Sequence, residues 1–133
     1  MFRDGWTQEA QRFAPQSIAG TLAQIESLAA LRIPSLTHAV IVLQSPGQPL
    51  LTDPIRDQLW SAFRLPIFEQ IIGDDGVLLA AECEAHDGLH IESSRFRPDG
   101  IIETSRCGCG RTTPRLIPEE APAPLERVAS FAD

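Results

Sequence analysis

Three pieces decide the fold: Ala39-Val40-Ile41-Val42-Leu43, the stretch from Asp53-Pro54-Ile55 to Phe63, and Leu65-Pro66-Ile67-Phe68-Glu69-Gln70-Ile71-Ile72. The first is a continuous apolar run bounded by Pro34-Ser35 and Ser45-Pro46-Gly47, the pattern of a strand buried on both faces. Asp53-Pro54 is a helix start, with an acid at the cap and proline at the first helical position. Ile55, Leu59, Ala62 and Phe63 then form its inward face, with Trp60 at the flank. The third piece is a second strand. Strand, helix and strand with short links make a βαβ unit, which predicts two parallel strands joined by a right-handed crossover.

Upstream, Ser17 reads as the N-cap of another helix, because Ile18, Leu22, Ile25 and Leu28 recur at helical spacing before Pro34 ends it. Gly20 weakens that helix by about 1 kcal/mol relative to Ala. The expected architecture is a single α/β domain over residues 17–117. It has a small, mostly parallel sheet, two helices and an attached β-hairpin. Residues 1–16 read as an irregular N-terminal arm that docks through Trp6 and Phe13. Residues 118–133 read as an acidic, proline-rich linker followed by a short helix with Leu125, Val128 and Phe131 on one face.

Bulk properties exclude several functions. A chain of 133 residues with 43% hydrophobic and 22% charged residues fits one globular domain and not a disordered one. A formal charge of −7 argues against nucleic acid, whose backbone demands clustered Lys and Arg. No apolar run approaches the roughly 18 residues that span a bilayer, so no membrane partner is expected. Met1-Phe2-Arg3-Asp4-Gly5-Trp6 is too polar for a signal peptide, and three cysteines fit poorly with a secreted disulfide framework. Cytoplasmic residence is the resulting expectation.

The chemistry gathers between Val77 and Arg115, which hold all three cysteines and two of the three histidines. Gly73-Asp74-Asp75-Gly76 is a solvated turn, followed by strands over Val77–Glu84 and Gly88–Glu92 and a short one at Ile101-Ile102-Glu103-Thr104. With a tight turn at Ala85-His86-Asp87-Gly88, Cys83 and His90 fall opposite each other on one face, and Glu82 and Glu84 point to the other. Cys107 and Cys109 belong to a glycine-containing loop. Three thiolates and one imidazole, from Cys83, His90, Cys107 and Cys109, match a closed tetrahedral zinc site of structural type. Its net charge of about −1 is offset by Arg106 and Arg111 nearby. His86, three residues from Cys83, is the rival fourth ligand at the hairpin tip. Cys-x-Cys is less diagnostic than Cys-x-x-Cys, and two other readings stay open. In one, Cys83 is a buried apolar residue and the loop thiols are free. In the other, Cys107 or Cys109 is a nucleophile or redox thiol with His86 or His90 nearby. His38 is an ordinary loop residue.

The series Pro34-Ser35-Leu36, Val40 to Leu43, Pro49-Leu50, Leu65-Pro66-Ile67-Phe68, Glu82-Cys83-Glu84-Ala85-His86-Asp87-Gly88-Leu89-His90-Ile91 and Cys107-Gly108-Cys109-Gly110-Arg111 resembles phenylacetate–CoA ligases, of the AMP-forming acyl-CoA synthetase superfamily. The resemblance covers roughly residues 20–117, about a quarter of a typical ligase. It implies zinc on Cys83, His90, Cys107 and Cys109. The departures concern catalysis. The Ser/Thr/Gly-rich phosphate loop has no counterpart, and Ile71-Ile72-Gly73-Asp74-Asp75-Gly76 stands where the family carries Tyr-Gly-x-Thr/Ser-Glu. The Arg-x-Arg-Asp ribose segment does not appear before the cysteine pair, and the sequence has no lysine to serve adenylation. Nothing then orients or neutralises a triphosphate. The expectation is a catalytically empty module that acts in assembly or binding, as a homodimer or with another protein subunit. The alternatives are a thiol-dependent enzyme or a remnant that binds an aryl or acyl ligand.

Overall fold

The βαβ unit stands as expected, but the sheet around it is mixed. The computed structural model describes residues 8–31 and 33–118. Seven strands form one sheet: β1 (Ser17–Gly20), β2 (Ala39–Gln44), β3 (Ile67–Ile72), β4 (Leu78–Glu82), β5 (Leu89–Ile91), β6 (Ile101–Glu103) and β7 (Arg115–Ile117). Their spatial order is β1-β2-β3-β4-β5-β7-β6. Only β1, β2 and β3 run parallel; every pairing from β3 onward is antiparallel. The prediction of a mostly parallel sheet is corrected here, because turns as short as Gly73–Gly76 can only return a strand antiparallel.

Among the described residues three helices accompany the sheet, one more than the two expected there: α1 (Gln8–Phe13), α2 (Leu22–Leu28) and α3 (Asp53–Phe63). The arm read as irregular thus contains α1, which ends where Ala14 takes a left-handed φ of 53°. Phe13 is exposed, and Trp6 lies outside the described residues. The first predicted helix begins later than Ser17. Ser17 to Gly20 pair in parallel with Ala39 to Val42, and Thr21 caps the helix instead. Thr21 accepts from the Gln24 backbone N–H while Gln24 accepts from the Thr21 N–H, a reciprocal capping box. Ile18 sits one helical turn before Leu22 in sequence, but it reaches the same core from a strand. The edge pairing with β2 wins over local periodicity.

Two clusters make the core. Ile25, Val40, Val42, Leu51, Leu59 and Ile67 pack between α2, α3 and the parallel strands. Ile71, Ala80, Leu89 and Leu116 form the second under the antiparallel half, with Phe96 and Leu50 against it. β7 was not anticipated from the sequence, yet it lies between β5 and β6 and joins them. Its approach to the β4–β5 connection needs a glycine. Gly88 has φ +85°, and a Cβ there would lie 2.9 Å from the Leu116 carbonyl oxygen and 2.6 Å from Ile117 Cδ1. The linker and C-terminal helix predicted for 118–133 fall outside the described residues after Pro118.

Candidate metal centre

The hairpin delivers the first two ligands, though in a register different from the one expected. His90 pairs with Ala81, Glu82 with Leu89, and residues 83–88 form the connection. Cys83 therefore does not stand directly across from His90. It lies two residues beyond Ala81, on the same side by strand alternation, so both side chains still converge. The turn closes with the His86 N–H on the Cys83 carbonyl at 3.0 Å, and the Ala85 N–H points at Cys83 Sγ at 3.4 Å. Cys107 and Cys109 arrive on a tight loop in which Cys107 N–H meets the Arg111 carbonyl at 2.9 Å and Gly110 N–H meets the Cys107 carbonyl at 2.9 Å.

Cys83, His90, Cys107 and Cys109 offer ligand atoms that all lie within 4.8 Å of one another. Cys83 Sγ and Cys107 Sγ are 3.5 Å apart, and Cys109 Sγ is 3.5 Å from His90 Nε2. Ligands of a tetrahedral zinc ion, with Zn–S of about 2.3 Å and Zn–N of about 2.0 Å, stand roughly 3.5–3.8 Å apart. A disulfide would hold its sulfurs at about 2.05 Å, so the thiols are free. The histidine is set for ligation by its other nitrogen. His90 Nδ1 meets the Thr113 carbonyl at 3.3 Å, and a carbonyl only accepts, so Nδ1 carries the proton and Nε2 presents its lone pair. His90 is fully buried and Cys107 is 2% exposed. The donor set thus fits a borderline-soft divalent ion such as zinc.

The thiols differ in acidity. Burial pushes the Cys83 thiol up to about 11, with its proton shared toward Cys107 and Cys109. Cys107 is pulled below the ordinary thiol range, first by the Cys109 backbone N–H and further by the Cys83 hydrogen bond and the charge of Arg115. A metal ion must displace the Cys83 proton before that sulfur can ligate as a thiolate. Of the two arginines expected beside the cluster, Arg106 is exposed, and Arg111 forms an ion pair with Glu92 at 3.0 Å that raises its own pKa. The buried cation is Arg115, which the sequence reading overlooked.

His86 is not part of the cluster. Its Nδ1 lies 2.6 Å from Glu82 Oε2, and its ring stacks at a tilt on Phe68 with centroids 4.8 Å apart. Through Glu82 it joins a charged network that the sequence reading also missed. Arg56 reaches Glu82 through two bonds of 2.8 and 3.0 Å and Glu69 through one of 3.1 Å. Glu69 accepts further from Gln44 Nε2 at 3.0 Å and the Leu51 N–H at 2.8 Å. Glu82 accepts from the Glu69 N–H at 2.9 Å. Beside these groups runs an open groove of about 1410 Å³, lined in part by Leu50, Arg56, Trp60, His86 and Phe96. Asp74 and Asp75 are exposed in their turn, and His38 is an exposed loop residue bonded to Thr37.

The fold and the cluster define an α/β domain carrying a Cys₃His set able to hold a metal ion. No protein-family model matches the chain, and no curated protein matches it. Among solved structures it is similar to 2-hydroxyisobutyryl-CoA ligase in an open conformation, in complex with 2-HIB-AMP and CoA. The TM-score is 0.59 at 14% identity, over 83% of this chain and 34% of that one. The same ligase in the postadenylation state, in complex with R3-HIB-AMP, gives 0.57 at 14% identity over 83% and 33%. The fold is that of an acyl-CoA ligase segment, and the chain spans about a third of the length of those ligases. None of the described helices is long and apolar enough to cross a membrane.

Proposed function

We propose that this is a zinc-fastened, acyl-CoA-ligase-like module that works by binding another protein chain and does not itself adenylate an acid. Within the ligases it resembles the phenylacetate–CoA type, on the strength of Glu-Cys-Glu-Ala-x-x-Gly-Leu-His and Cys-x-Cys-Gly-Arg. The convergence of Cys83, His90, Cys107 and Cys109 carries the reading. Four protein ligands leave no open position for water, so the ion is structural and fastens β5 to the loop between β6 and β7. Neither the phosphate loop nor the lysine of an adenylating enzyme is present in the sequence.

The assembly role draws support from the exposed apolar surface. Ile101 and Ile102 are 51% and 39% exposed on β6, which forms one edge of the sheet. An edge strand with apolar side chains on both faces invites pairing with another chain. A homodimer is expected by light scattering at micromolar concentration, and Ile102→Lys is expected to shift it toward monomer. A wild-type monomer under those conditions would count against the assembly role. The groove beside Trp60 and Phe96 favours a second reading, a remnant site for an aryl or acyl ligand. It would be dropped if phenylacetate, ATP and CoA all fail to raise the melting temperature.

A further inference from the structure

The metal cluster has a buried cation at its back whose bonding is incomplete. Arg115 is 2% exposed in β7, whose register sets it against His90 on one side and Glu103 on the other. Its Nη1 donates to the Asp87 carbonyl at 2.7 Å and forms an ion pair with Asp87 Oδ2 at 2.8 Å. Its Nη2 donates to the Ser105 carbonyl at 3.3 Å and to Ser105 Oγ at 3.4 Å. The guanidinium thus ties the tip of the β4–β5 connection, which carries Cys83, to the strand leading into Cys107. Its Nε is buried and has no hydrogen-bond partner among the described residues. A buried guanidinium N–H without an acceptor is rare and signals a missing partner.

The charge balance points the same way. Three thiolates and a divalent ion carry a net charge of about −1, and a buried excess charge needs a counter-charge. The Asp87 carboxylate that pairs with Arg115 is 65% exposed, so solvent screens part of that interaction. Burial works against the charge of Arg115, yet Asp87, Cys107 and Glu103 together hold its pKa above the ordinary value. Arg111 also feels the charge of Cys109 and Cys83, but it is 45% exposed and engaged with Glu92, so its contribution is more screened than that of the buried Arg115.

We propose that Arg115 is a positioning residue of the metal centre, joining the two ligand-bearing segments and supplying a buried positive charge beside a three-thiolate site. The inference rests on the metal reading above and adds a residue to it. Outer-sphere partners of metal ligands commonly change affinity by about 10–100-fold when removed.

The test measures zinc affinity by chelator competition, together with the thiolate-to-cobalt charge-transfer band of the cobalt-loaded protein. Arg115→Gln is expected to keep one metal per chain, bind zinc at least about tenfold more weakly and shift the cobalt band. Arg115→Lys, which keeps the charge and loses the fork, is expected to recover part of the affinity and guards against a misfolded Gln variant. Arg97→Gln, at a residue that among the described residues bonds to the Ser94 and Phe96 carbonyls, is expected to change neither readout. If both Arg115 variants bind zinc within twofold of wild type with an unshifted cobalt band, the positioning role is wrong while the metal site stands. A wild-type protein that binds neither metal overturns both.

Discussion

Replacing His90 by alanine is expected to abolish stoichiometric zinc binding and to lower the melting temperature of the zinc-loaded protein by more than about 10 °C. Two effects add. The side chain is fully buried beside Ala81 and Arg115, so its removal leaves a cavity. It also supplies the only imidazole of the cluster. At a free metal concentration 1,000 times Kd, binding stabilises the native state by about 4 kcal/mol, and the variant forfeits that gain. At this domain size each kcal/mol moves the midpoint by several degrees. His86→Ala makes the discriminating comparison, since His86 is engaged with Glu82 and Phe68 and lies outside the Cys83, His90, Cys107 and Cys109 cluster. It is expected to retain one zinc per chain. Calorimetry with zinc and a chelator series checks both. Loss of metal from His86→Ala and retention by His90→Ala would reassign the fourth ligand.

Arg56→Met is expected to destabilise the domain by about 3–5 kcal/mol, whether or not metal is present. Glu69 and Glu82 approach each other on neighbouring strands next to the Gln70–Ala81 pair, and their side chains are 0% and 2% exposed. Like charges in that arrangement repel. Arg56, itself 22% exposed, is the cation that bonds to both. Without it two carboxylates share a buried site with Gln44, two backbone N–H groups and His86 for partners. Adding Glu69→Gln and Glu82→Gln to Arg56→Met is expected to recover more than half of the loss, because the uncompensated charge disappears. Denaturant unfolding measures this directly. A single-mutant loss below about 1 kcal/mol would mean that Arg56 behaves as a surface ion pair.

The readable part of this fold was the part whose signals are local. Val40 to Leu43, Asp53-Pro54 and Ile67 to Ile72 each announce their element by composition, and together they fix the parallel β2–β3 pair. Ser17 to Gly20 misled because Ile18 and Leu22 share helical spacing by coincidence, while the pairing with β2 that makes β1 is a tertiary contact. β7 was hidden for a similar reason. Three residues that include a charged Arg115 carry no strand pattern, and only their place between β5 and β6 makes them one. The four metal-type residues were legible because Cys and His announce their chemistry by type. The register joining them was not, since the connection over 83–88 is longer than the tight turn assumed. The Arg56 network did leave one trace: Glu69 alternates with Ile67 and Ile71 on what had to be a buried face. A charge in that place requires a partner.

Metal content with thiol counting tests the central claim most directly. The purified protein is expected to hold one zinc per chain and to show no thiol reactive toward a disulfide reagent until a chelator or denaturant is added. All three cysteines then become titratable. A metal-free protein whose three thiols react at once in the native state, and which takes up no zinc when offered it, would contradict the account.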